Sequence, residues 1–75
     1  MELTIREKCA LIINSRHIRE VEIRERERSL RVCWRNDPQV HLRTNAPSDE
    51  VFHIILNDAL SYIAYLDLNQ ASYPI

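Results

Sequence analysis

Residues 21–32 read VEIRERERSLRV, and the phase of this stretch decides the fold. Val21 and Ile23 alternate with Glu20, Glu22 and Arg24, and Leu30 and Val32 alternate with Arg31. A period of two marks strands with one face in a core and one in water. Trp34 continues the second run, and Val40 and Leu42 form a third. The segment NDP at 36–38 is a strong turn signal between the last two runs. Between the first two, RERS at 26–29 lacks the glycine or asparagine that a tight primed turn needs. A looser loop of about four residues is expected there, with Ile23 opposite Val32.

Helical periodicity flanks the strands. Thr4 and Glu7 fit a capping box, and Ile5, Cys9, Ile12 and Ile13 recur at helical spacing, which predicts a helix over 5–15. Downstream, Ser48 is a good N-cap, and Asp49 and Glu50 sit where the helix dipole favours negative charge. Phe52, Ile55, Leu56, Ala59, Ile63 and Leu66 then fall on one stripe. The end, from about residue 69 to 75, lacks periodicity and is expected to fray. The prediction is one small α+β domain over 1–75: a helix, a three-stranded antiparallel β-meander and a second helix. Both helices lie on one face of the sheet.

Composition narrows the function. With 45% apolar and 28% charged residues, the chain suits a folded domain and not a disordered one. At 75 residues it sits near the low end of sizes that fold unaided, so stabilisation by self-association or a partner fits. No glycine is present, which removes the phosphate-cradling loops of nucleotide-binding enzymes. Cys9 and Cys33 are too few for a disulfide framework and read as reduced thiols. The N-terminal segment lacks the pattern of a signal peptide or a spanning helix, so a cytoplasmic protein without a membrane role is expected.

Phasing the strands places Val21, Ile23, Leu30, Val32, Trp34, Val40 and Leu42 toward the helices. The open face is then expected to carry Arg24, Arg26, Arg31, Arg35, His41 and Arg43, with Glu20, Glu22 and Cys33 among them. Residues 16–43 hold eight arginines against five acids, whereas 44–75 hold four acids and no base. Nine of the ten bases are arginine, whose planar fork suits carboxylate and phosphate. This face is a candidate partner-binding surface, although paired glutamates and arginines also make an ordinary solvated sheet face.

A second candidate surface lies on the second helix. Opposite its buried stripe, Ile54, Tyr65 and Leu68 form another apolar line at 100° per residue, with Tyr62 at the border of the core. Either the first helix covers this line, or it is the interface of a homodimer or another partner. Catalysis finds little support. Cys33 and His41 can face each other across the 36–38 turn, but no pocket, oxyanion donor or orienting carboxylate accompanies them. His17, Cys33, His41 and His53 lack zinc-site spacing, and Cys9 reads as a small core residue. Neither an enzyme nor a cofactor or metal is expected.

The element order resembles that of double-stranded RNA-binding domains across nearly the whole chain. In that family, lysines at the start of the second helix reach phosphates. Here the position reads Ser48, Asp49, Glu50, which repels phosphate. The open sheet face also offers no aromatic for base stacking. In size and layout the chain is similar to some phage-encoded inhibitors of host defence, including certain anti-CRISPR proteins, which implies an inhibitor of a host defence complex. The leading expectation is a small non-enzymatic regulatory or inhibitory protein that binds another protein and self-associates through the second helix. The alternatives are a nucleic-acid-binding regulator using the same arginines and a structural subunit of a larger complex.

Overall fold

The computed structural model describes residues 2–36 and 41–71. Helix α1 (Ile5–Ile13), strands β1 (Ile18–Arg24), β2 (Ser29–Trp34) and β3 (His41–Asn45), and helix α2 (Asp49–Ala71) follow in that order. The strands form an open antiparallel sheet in the order β1-β2-β3, so the α+β meander between two helices is the observed fold.

Helix α1 starts where its capping box closes. The Glu7 amide donates to Thr4 Oγ1 at 3.1 Å, and the Thr4 amide donates to Glu7 Oε1 at 2.8 Å. These bonds from Thr4, backbone first, hold the Glu7 carboxyl below its usual range. The helix ends at Ile13 and not at Ser15, because Asn14 terminates it. The Asn14 amide and its side-chain Nδ2 both donate to the Ala10 carbonyl, at 3.0 and 2.9 Å.

The β1–β2 turn spans 25–28 without glycine. Its register pairs Arg24 with Ser29, Ile23 with Leu30 and Val21 with Val32. Ile23 therefore opposes Leu30, not Val32. A slip of two residues leaves every side chain on its own face, so hydrophobic alternation alone could not separate the two registers. The turn chemistry decides between them. Arg28 takes the left-handed conformation at φ 53°, a position that favours glycine. Three contacts hold it there. Its amide donates to the Glu25 carbonyl at 3.2 Å, its carbonyl accepts from the Ala46 amide at 2.8 Å, and its Nε donates to Asp49 Oδ1 at 2.7 Å.

A bulge between Ile18 and Glu20 shifts the start of β1. Ile18 turns into the core at 7% exposure, and Arg19 and Glu20 both face solvent. The expected turn at 36–38 and the inward Val40 fall at or beyond residue 37 and lie outside the described residues, except for Asn36.

Helix α2 begins at a serine cap, where the Val51 amide donates to Ser48 Oγ at 3.3 Å. It continues through Asn69, Gln70 and Ala71, past the expected fraying point, since no glycine or proline interrupts it before Pro74. Phe52, Leu56, Ala59 and Leu66 of α2 pack with Cys9 and Ile12 of α1 and with Leu30, Val32 and Trp34 of β2. Val21, Ile23 and Leu42 line the margins of this core. One core thus joins both helices to the same side of the sheet.

Candidate protein-interaction surfaces

The register fixes what the open sheet face carries. Across the three strands run the rows Glu20–Cys33–His41, Glu22–Arg31–Arg43 and Arg24–Ser29–Asn45. Only Arg24, Arg31 and Arg43 of the expected arginines belong to it. Arg26 sits in the 25–28 turn, because β1 stops at Arg24. Arg35 follows the end of β2 and is drawn to the strand margin. Its Nε donates to the Arg16 carbonyl at 3.1 Å and its Nη2 to the Ile18 carbonyl at 3.4 Å. The face is accordingly less basic than its sequence implied.

Arg31 and Arg43 are directly opposed, a like-charge pairing that a sheet does not adopt for stability. Arg31 leans toward Glu20, with Nη1 3.6 Å from Oε2, and lies 3.6 Å from Cys33 Sγ. Among the described residues, Arg43 has no carboxylate within 4.0 Å. An open depression of about 440 Å³ lies here, lined by Arg24, Arg31 and Arg43 together with Glu22 and Glu27. It can accept an anionic group beside Arg43, but its two glutamates oppose a run of phosphates.

Cys33 is buried at 4% exposure although its neighbours in the alternation face outward, because it is a short side chain on the central strand. Its register partner is His41, whose side chain lies outside the described residues. Cys9 is buried in the core, and desolvation, aided by the charge of Glu25, pushes its thiol pKa up. That makes Cys9 an unreactive thiol. No group of three or more metal-ligating side chains occurs among the described residues.

The second surface is on α2. Lys8 Nζ lies 3.0 Å from His53 Nδ1, and His17 Nε2 lies 2.6 Å from Asp67 Oδ1. These contacts put α1 and the segment after it along the flank of α2 that carries His53, Leu60 and Asp67. The first helix therefore does not cover the other apolar line. Ile54, Tyr65 and Leu68 remain 59, 57 and 73% exposed. Tyr62 is half-buried, edge-on to Trp34 with ring centroids 4.7 Å apart, and accepts from Asn36 Nδ2 at 3.2 Å.

Sequence reading missed the burial of three side chains on this flank. Lys8 is only 5% exposed and His17 only 4%, and His53, expected in solvent, is half-buried against Lys8. Lys8 falls between Ile5 and Cys9 and Ile12 on the buried face of α1, so its spacing carried the signal. Its charge disguised it. Helix α2 also has the length and, in an 18-residue window within Asp49–Asn69, the mean hydropathy of 1.2 to cross a membrane, a test that core helices of soluble domains pass as well.

No family model, no curated protein and no solved structure matches the chain.

Proposed function

We propose that this chain is a non-enzymatic regulatory or inhibitory protein that acts by docking on other proteins. The observation that carries this reading is the exposed line Ile54, Tyr65 and Leu68 on a helix whose remaining faces are already packed. Large apolar side chains gathered in one line, with a tyrosine among them, suit a protein interface. The arginine-bearing sheet face supplies a second, polar surface. There Arg43 meets carboxylates of a partner, and its charge steers encounter.

The test compares wild type with the double variant Tyr65→Glu/Leu68→Glu as bait in nuclease-treated native lysate at two salt concentrations. Wild type should retain protein at stoichiometric levels, and the double variant should lose it while keeping a native circular dichroism spectrum. Equal retention by both would contradict the reading.

The apposed Arg31 and Arg43 favour one further reading, a nucleic-acid-binding regulator. That reading requires a steep loss of affinity with salt and a further loss on Arg43→Glu. Retention that disappears on nuclease treatment would put it first.

A further inference from the structure

The outer line of α2 is symmetric about Ser61. Ile54 and Leu68 are each seven residues from it, Asn57 and Tyr65 each four, and Asp58 and Ala64 each three. All seven of these positions are exposed. We propose that a second copy of this chain occupies this face, with the two α2 helices packed antiparallel and crossing at Ser61. The proposal rests on the reading of the line as a protein interface and names its occupant.

A two-fold axis through Ser61 sets Ile54 of each copy against Leu68 of the other, so the largest exposed aliphatic groups meet in pairs. The crossing point itself is a small side chain, which lets two helices approach closely. Tyr65 of each copy meets Asn57 and Asp58 of the other, where its hydroxyl can donate to the Asp58 carboxylate. A parallel pairing lacks this complementarity. It stacks Asp58 on Asp58, whereas the antiparallel pairing separates those carboxylates by about 9 Å along the axis, at 1.5 Å per residue.

The same axis keeps both α1 helices on one side of the seam. Leu11, one turn beyond Lys8 on the side of α1 next to α2 and 52% exposed, then extends the contact. Ile54, Tyr65 and Leu68 expose on the order of 400 Å² per copy, the scale of an interaction patch. With Leu11, Asn57 and Ala64 included, the pair covers on the order of 1,000 Å², the lower bound for a specific interface. Such a dimer is weak. It stacks sheet, helices, helices and sheet, with both arginine-bearing faces turned outward, and so presents two binding faces at once.

Sedimentation equilibrium over a hundredfold concentration range tests the dimer, and disulfide trapping tests its direction. Wild type should pass from one chain mass to two, and Leu68→Glu should remain at one. Ile54→Cys and Leu68→Cys should cross-link when mixed, with neither linking to itself. The buried Cys9 and Cys33 do not compete. A single chain mass throughout, or self-linking of Ile54→Cys, overturns the proposal. Neither result touches the broader reading, which the capture by wild type and the Tyr65→Glu/Leu68→Glu variant in lysate tests separately.

Discussion

Tyr62 and Tyr65 stack with ring centroids 6.1 Å apart and planes 18° from parallel, one ring against Trp34 and the other largely in water. The core thus continues through a half-buried tyrosine to an exposed one, and the two residues should separate stability from binding. At low protein concentration, Tyr62→Ala should cost about 2 kcal/mol, because it removes the edge contact to Trp34 and opens the core. Tyr65→Ala should cost under about 1 kcal/mol and instead weaken association. Urea denaturation checks the pair, and equal losses would show that Tyr65 is a packing residue.

Arg28 offers a test of the turn. Both Arg28→Ala and Arg28→Gly lose the Asp49 contact, but only glycine relieves the left-handed backbone. The glycine variant should be more stable than the alanine variant by about 1 kcal/mol. Urea midpoints in the reverse order would mean that the turn does not adopt this conformation in solution.

Lys8 is buried beside a histidine nitrogen, with no carboxylate within 4.0 Å among the described residues. Lys8→Met keeps the aliphatic stem and removes the desolvated charge, so it should stabilise by on the order of 1 kcal/mol. His53→Leu strips the ammonium of its acceptor and should cost about 2 kcal/mol. If Lys8→Met destabilises, the Lys8–His53 bond outweighs the desolvation of the ammonium.

The capping box should show in acid. Glu7 has a folded pKa below its ordinary value of 4.5, so the folded state holds its proton less tightly than the unfolded one. Its contribution is fully present above that value and disappears as pH falls through the lowered one. Glu7→Gln removes this titration. The difference in Tm between wild type and variant should shrink between pH 6 and pH 3. A difference that stays constant would place the box outside the folding equilibrium.

The sequence made the element order legible because each segment's period, caps and turn residues agree. Val21, Ile23, Leu30, Val32 and Trp34 alternate without exception, and Thr4 and Ser48 announce both helices. The β1–β2 register was hidden because a two-residue slip preserves the alternation and an arginine fills a glycine's place at position 28. The basic face was overstated because strand ends set its membership. Arg26 fell into the turn, and Arg35 turned to backbone carbonyls. Ile54, Tyr65 and Leu68 were visible as a line, but only the placement of α1 and the segment after it along His53 and Asp67 showed that the first helix leaves all three more than half exposed. Lys8 escaped notice because a polar side chain on a buried helix face has no signature except its spacing, and His17, weighed only as a metal ligand, lies in a turn where no period marks burial.

The most direct test of the central claim is photo-cross-linking from position 68, with a benzophenone amino acid replacing Leu68 in cells that make the protein. Arg6, whose side chain is 87% exposed, serves as the control position. If α2 presents a protein interface, position 68 should yield a discrete protein adduct, to this chain or to another, and position 6 should not. Adducts no more abundant at 68 than at 6 would contradict the account.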